Sequence, residues 1–296
     1  MFVPRLRSIP RSQWRYLFRS ILNVTRPQRQ RCPNCGSRNF KLLKRKYLVT
    51  ALVRCMNCQI LYRIPTDPPG FNEAFYEKEY TSSFTTDCPD PETLAKFLST
   101  GFRNSPKDFA RWIELLLSVG ATPPRRLLDY GASWGYGTWQ FTKAGFDAYG
   151  YEPCSWRAQY AADKLGVQIV DDLGQFQEYF DIVFSCHVLE HVPKPGHFLR
   201  EMKRLLRPGG FLVCVTPNGS SERLTKDPVK YHREWGFVHP FFLDSEFYRR
   251  EFQGEAYLLT TVPCDMSLLA EWDREKPLEG PLDGPELVLI WAQPTS

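Results

Sequence analysis

From Arg126 to Thr216 the chain alternates between strand-like and helix-like runs, and this alternation limits the fold more than any other feature. Arg126–Tyr130, Asp147–Tyr151, Val167–Val170, Phe180–Ser185 and Gly210–Thr216 are short stretches of strand character. Trp134–Lys143, Ser155–Leu165 and Gly196–Leu206 fall between them and have helical spacing of apolar residues. Strand–helix–strand units close as right-handed crossovers and build a largely parallel sheet with helices on both faces. Asp108–Val119, ahead of this region, reads as a further helix. The tail breaks the rhythm: Asp244–Phe252 is helical, but Ala256–Val262 and Glu286–Ala292 are strands joined only by the Pro-, Gly- and acid-rich loop 263–284. A direct return of this kind predicts an antiparallel pair at the end of the sheet. The expected class is α/β, doubly wound and mostly parallel.

The charge is unevenly spread. Residues 1–66 hold twelve Arg and three Lys, and Asp67 is the first acid. The remainder carries a net −10 within a total of +5, so a cationic front precedes an acidic body. Such a front suits an anionic partner: nucleic acid, lipid headgroups or a phosphorylated substrate. A solvated basic tail is the plain alternative. Within the front, Trp14, Leu17, Phe18, Ile21 and Leu22 recur at spacings of three and four between Ser12 and Val24, with Arg11, Arg15 and Arg19 to one side. That is a basic amphipathic helix. It is suited to an anionic membrane surface through residues 1–31, or to docking on the protein's own body. No apolar run reaches the ~20 residues needed to span a bilayer, and no secretory leader is evident. The expected location is cytoplasmic, with peripheral attachment at the inner face of the membrane.

Four of the nine cysteines form two knuckles, C32-P-N-C35 and C55-M-N-C58. Two C-x-x-C pairs at this spacing supply four thiolates for one tetrahedral ion, and zinc is the ion expected. Phe40–Val53 reads as the hairpin that brings them together. Ligation by Cys32, Cys35, Cys55 and Cys58 would close the site, so its role is structural. A redox pair would not account for both knuckles. Cys186 and Cys214 lie in apolar runs and read as core residues. The divisions that follow are a basic arm (1–30), a zinc ribbon (31–66), a connecting, substrate-covering segment (67–105) that includes a short helix at Glu73–Tyr80, and the α/β domain (106–296).

The turn after the first strand of that domain reads D129-Y-G-A-S-W-G135. Gly131, Ala132, Ser133 and Gly135 are small enough to let a ligand approach backbone, and a strand-to-helix turn is where doubly wound sheets bind cofactors. Glu152 ends the next strand, where an acid can accept hydrogen bonds from ribose hydroxyls. Asp129 ahead of the first glycine favours a cationic or amino-acid-bearing cofactor over a pyrophosphate. Asp171 and Asp172 follow the third strand. One of them can accept the exocyclic amine of adenine, or cap a helix.

L-L-D-Y-G-A-S-W-G from Leu127, Y-G-Y-E-P from Tyr149, F-D-I-V-F-S-C-H-V-L-E-H-V from Phe180 and L-R-P-G-G-F-L-V-C-V-T-P-N from Leu206 together resemble the successive motifs of class I S-adenosylmethionine-dependent methyltransferases, over about 120–290. The four-Cys front followed by F-N-E-A-F-Y-E-K-E-Y from Phe71 is similar to a subgroup that includes bacterial sugar methyltransferases. The resemblance implies a seven-stranded Rossmann-like sheet with the last strand antiparallel. It implies that Asp129, Gly131 and Gly135 bind the methionine part of S-adenosylmethionine, Glu152 the ribose, and Asp171 or Asp172 the adenine. Ser133 would meet the amino-acid end, and the segment from Ser185 through His187 to His191 would run past the sulfonium toward the acceptor.

Transfer to a hydroxyl needs a proton acceptor, and histidine has the fitting range. His187 and His191 flank the fourth-strand exit. His239 lies in Y-H-R-E-W-G-F-V-H-P from Tyr231, where the resemblance places acceptor-binding residues. These three are the candidate bases; His197 and His232 are weaker. The first reading is O-methylation of a small-molecule or glycan acceptor: a nucleotide sugar, lipid-linked sugar or surface polysaccharide. The second is an RNA methyltransferase gripping phosphates with its front. No N/D-P-P-Y/F motif of base amino-group methylation is present, so nucleic acid is the weaker partner. The third is a non-enzymatic scaffold with a relic cofactor site.

Overall fold

The computed structural model describes residues 11–68, 87–236 and 239–295. Helix α1 (Arg11–Val24) precedes strands β1 (Phe40–Lys46), β2 (Thr50–Cys55) and β3 (Leu61–Ile64). Helices α2 (Pro91–Thr100) and α3 (Ala110–Ser118) then lead to β4 (Arg126–Tyr130), α4 (Tyr136–Lys143), β5 (Asp147–Tyr151), α5 (Ser155–Tyr160) and β6 (Gln168–Val170). Next come β7 (Phe180–Cys186), α6 (Pro195–Leu205), β8 (Leu206–Pro217), α7 (Ser221–Lys226), α8 (Pro228–Glu234) and β9 (Phe241–Phe242). The chain ends with α9 (Ser245–Glu251), β10 (Tyr257–Thr261), α10 (Met266–Glu271), β11 (Leu278–Glu279) and β12 (Glu286–Ala292).

The main sheet runs β11-β10-β12-β8-β7-β4-β5-β6. Strands β8, β7, β4, β5 and β6 are mutually parallel, and β12 inserts antiparallel between β8 and β10. Seven of these strands are the ones expected. The eighth, β11, and helix α10 lie within 263–284, where composition predicts only a loop. Asp265 caps α10 by accepting from the Ser267 N–H, and Leu269 buries its apolar side, so a local cap and one core contact build a helix where composition suggests none. The run expected as one helix over Ser155–Leu165 ends α5 at Tyr160 and continues as a wider π turn over Ala161–Leu165. The helix expected at Glu73–Tyr80 lies outside the described residues.

Side chains alternate across the strands, so neighbouring residues enter opposite layers. Leu127, Ile182, Val213, Leu258 and Val288 join Trp112, Leu116 and Phe141 in one core layer. Leu128, Val183, Leu212, Leu259 and Leu287 join Leu199, Met202, Phe247 and Tyr248 in the other. Each such side chain contributes roughly 1.5–3 kcal/mol when fully buried.

The cysteine-bearing strands do not stand apart. Strand β3 pairs antiparallel with β9, giving a second sheet in the order β1-β2-β3-β9. Val53, Ile60, Tyr62 and Phe241 are buried in the second core layer described above. Two residues of the α/β body therefore finish the front sheet, and one apolar core runs through both. Among the described residues no helix is long and apolar enough to cross a membrane.

Candidate functional site

The sulfur atoms of Cys32, Cys35, Cys55 and Cys58 converge, with all four within 4.8 Å of one another. Cys32 and Cys58 are 3.6 Å apart and Cys35 and Cys55 3.5 Å, too far for disulfides. A tetrahedron with 2.3 Å zinc–sulfur bonds has edges of about 3.8 Å. Both knuckles use one backbone design. Cys32 N–H donates to Ser37 and Gly36 N–H to Cys32; Cys55 N–H donates to Ile60 and Gln59 N–H to Cys55. Gly36 (φ 77°) and Gln59 (φ 61°) hold the equivalent left-handed position. The geometry fits a four-thiolate ion.

The second set of residues gathers on the carboxyl edge of the main sheet. Val170, Tyr151, Tyr130 and Ser185 share one row of the strand register. Asp171, Glu152, Gly131 and Cys186 are the next residues of those strands, so the sheet brings four sequence-distant positions to one edge. Gly131 and Ala132 donate their N–H groups to Tyr151 O, which folds the loop over the end of β5. Gly131 (φ 86°), Ser133 (φ 52°) and Gly135 (φ 84°) are all left-handed. Phe97, Phe102, Tyr136 and Tyr160 pack around Trp134 and cover the loop from outside.

Asp129 is buried. Its Oδ2 accepts from Thr138 Oγ1 at 2.8 Å. Burial pushes this carboxyl up to about 7, with the Thr138 donors only partly opposing it. An ammonium or sulfonium nearby would restore its charge, so the site fits a cationic ligand. Glu152 is already engaged: Oε2 accepts from Ser133 N at 2.9 Å and Oε1 from Cys154 N at 3.0 Å, with Arg157 at 3.7 Å. Each oxygen keeps acceptor capacity for a hydroxyl, because a carboxylate oxygen accepts more than one hydrogen bond. The loop and the acid expected at the ribose thus brace each other. Asp171 and Asp172 are exposed. Asp172 accepts from Gly174 N at 2.7 Å in a turn, and no helix follows, so the helix-cap alternative does not apply.

Ser133 is strained where a glycine would not be. Ser133→Gly is expected to keep the fold and cofactor affinity, with a stability change within about 1 kcal/mol. Thermal melts with and without S-adenosylmethionine check this.

Beyond Ser185, whose buried Oγ has no hydrogen-bond partner, the chain turns through His187 (φ 56°). His187 Nε2 lies 2.7 Å from Glu286 Oε1, and Nδ1 lies 3.2 Å from Glu190 Oε1. Desolvation opposes its charge, though only in part because the side chain is 42% exposed, and the hydrogen bonds and charges of Glu190 and Glu286 outweigh it and push the imidazole up to about 10. Glu190 is fully buried. Burial alone would raise it, yet His191, His187 and His239 hold it down at about 2. His239 Nδ1 lies 2.6 Å from Glu234 O, and the His239 and His191 rings are 5.0 Å apart. Burial lowers His239 below the ordinary histidine range, more than Glu190 restores. Donor atoms of Glu190, His191 and His239 lie within 4.8 Å of one another, a spacing that would also admit a divalent ion. His197 is exposed at the start of α6.

Arg111, His187, Lys230, Glu234, His239 and Glu286, with Pro217 and Pro285, line a cavity of about 400 Å³. That is a small-molecule size. The structure therefore brings His187, His191 and His239 to one place, around Glu190. Sequence reasoning missed Glu190 and Glu286 as partners. Glu190 was visible inside L-E-H. Glu286 lies 99 residues beyond His187, and nothing local marks it.

The sequence profile of the methyltransferase domain family matches residues 102–255. A ubiquinone biosynthesis O-methyltransferase of Azorhizobium caulinodans is 29% identical over 141 residues, 41% of this chain and 56% of that protein. A tRNA U34 carboxymethyltransferase of Idiomarina loihiensis is 29% identical over 137 residues, 40% of each. The chain thus spans about half or less of these relatives' lengths. A solved structure of magnesium protoporphyrin IX methyltransferase from Synechocystis with bound SAH superposes with a TM-score of 0.46 at 13% identity, over 70% of this chain and 90% of that one.

Proposed function

We propose that this chain, which belongs to the methyltransferase domain family, methylates a hydroxyl of a small polyhydroxylated acceptor, a sugar or glycan unit, with S-adenosylmethionine as donor. When bound, S-adenosylmethionine supplies an electrophilic methyl group. Asp129 and the Gly131–Gly135 backbone would hold its amino-acid end, Glu152 its ribose, and Asp171 or Asp172 the adenine. The cavity beyond Ser185 would hold the acceptor, and its charged lining gives hydroxyls both donors and acceptors.

The observation that carries the reading is the state of His239. Its Nδ1–H is committed to Glu234 O, so in the neutral ring Nε2 keeps its lone pair. Burial keeps the ring neutral at neutral pH. Anionic Glu190 beside it would stabilise the imidazolium formed when the acceptor hydroxyl gives up its proton. His187 suits a different role. Its two ring nitrogens lie against Glu190 and Glu286, which favour the protonated ring, and this points away from a base and toward holding the two carboxylates in place.

A labelled methyl-transfer screen against nucleotide sugars, envelope glycans and total RNA tests the acceptor. Label in a sugar fraction is expected; label confined to RNA would contradict it. The four thiols are proposed to hold structural zinc. Elemental analysis of the purified full chain should return one zinc per molecule, and chelation should lower the melting temperature of the whole protein, because the front sheet shares its core with the body. A metal-free protein of unchanged stability would contradict that assignment.

A further inference from the structure

Helix α1 lies against the protein with its polar side inward. Tyr16, Ser20 and Asn23 are buried, whereas Phe18, Ile21 and Leu22 are 65%, 52% and 51% exposed. Polar contacts fix this orientation: Arg19 Nε pairs with Asp67 at 3.1 Å, and the Arg63 guanidinium lies 5.0 Å from the Tyr16 ring centre. The tip of the β1–β2 hairpin behaves alike. Tyr47 and Leu48 have left-handed backbones, and Leu48 is 88% exposed. Helix α1 and the end of β1 that leads into this tip come close to one another, since Lys46 Nζ and Tyr16 Oη lie 3.4 and 3.7 Å from the position a Cβ on Gly236 would take.

Beside the hairpin tip is a cleft of about 550 Å³ lined by Arg45, Lys46, Tyr47, His232 and Arg233, with no acid among them. Burial brings Lys46 down to about 8. Burial, with Lys46 and Lys44 nearby, also lowers His232, so the neighbourhood is electropositive. Arg26, Arg31, Arg38, Lys41 and Lys44 add exposed charge, and no acid precedes Asp67.

We propose that the outer face of α1, the Tyr47–Leu48 tip and the cationic cleft together form a docking surface for an anionic lipid bilayer. The apolar side chains would enter the interface, and the cleft would take a phosphate-bearing headgroup. A nucleic acid would match the charge but leave Phe18, Ile21 and Leu48 in water, so the observations favour lipid. Helix α8 separates the cleft from the acceptor cavity: Lys230 and Glu234 line the cavity, His232 and Arg233 the cleft. The docking itself does not depend on the reading of the reaction.

Sedimentation of the full chain with extruded vesicles tests it. Vesicles of about one-third phosphatidylglycerol should retain the protein at least tenfold better than pure phosphatidylcholine. The pair Arg45→Gln and Arg233→Gln should weaken retention by about 25-fold, from about fivefold per charge. Phe18→Asp with Leu48→Asp should weaken it by a similar amount without changing the circular dichroism spectrum. Equal wild-type retention on both vesicles would overturn the proposal. So would apolar variants that bind like wild type, which leaves only a charge patch for RNA. Displacement by inorganic phosphate but not by sodium chloride of equal ionic strength would assign the cleft to a soluble phosphate instead. Loss of a wild-type dimer in Phe18→Asp, with no vesicle binding, would assign the face to a second copy of the chain.

Discussion

Replacing His239 with alanine should lower kcat by a hundred- to ten-thousand-fold, the range general-base removal usually costs, and leave S-adenosylmethionine affinity within about twofold. His239 Nδ1 is tied to Glu234 O, and burial lowers the ring's pKa below the ordinary value of about 6.5. A base works when deprotonated. The wild-type rate should therefore rise with pH on a limb below 6.5 and stay flat across neutrality. It should fall again only near the point where His187 loses its proton, at about 10. Single-turnover rates across this range check the assignment. In His239→Ala the acid limb should vanish, and added imidazole should restore part of the rate. An unchanged acid limb in the variant would mean that another group takes the proton.

Gly131→Val should reduce S-adenosylmethionine affinity at least a hundredfold. A Cβ at this position would lie 2.3 Å from Val188 Cγ2, and the backbone stands at φ 86°, where a β-branched residue is strained. Strain and overlap together cost about 3 kcal/mol or more unless the loop moves. The loop cannot move cheaply, because Gly131 and Ala132 both donate to Tyr151 O and Ser133 donates to Glu152. Equilibrium dialysis against labelled S-adenosylmethionine measures the loss, and a circular dichroism spectrum shows whether the fold survives.

Local pattern made much of this readable in advance. Strands β4 to β8 announced themselves as short apolar runs separated by helical spacing, and the knuckles by Cys spacing alone. Asp129, Gly131 and Glu152 stood out because they lie within one residue of the carboxyl ends of β4 and β5. What escaped notice depends on distant pairing. Strand β9 is two phenylalanines that matter only because β3 lies beside them. His187 was legible as a histidine, but its charge comes from Glu190 and from Glu286 on another strand. The helix at 11–24 was legible as amphipathic. Which side faced the body was not, because Arg19, Arg63 and Asp67 decide it through contacts that periodicity does not encode. The acceptor cavity was legible only in part: His187, Pro217, Glu234 and His239 stand in runs the sequence singles out, whereas Arg111, Pro285 and Glu286 join the lining from distant stretches that carry no local mark.

The most direct test of the central claim is a calorimetric titration of S-adenosylmethionine into the purified full chain. One-to-one binding, competed by S-adenosylhomocysteine and lost in Gly131→Val, is the predicted result. A folded wild-type protein that takes up no S-adenosylmethionine would contradict the account.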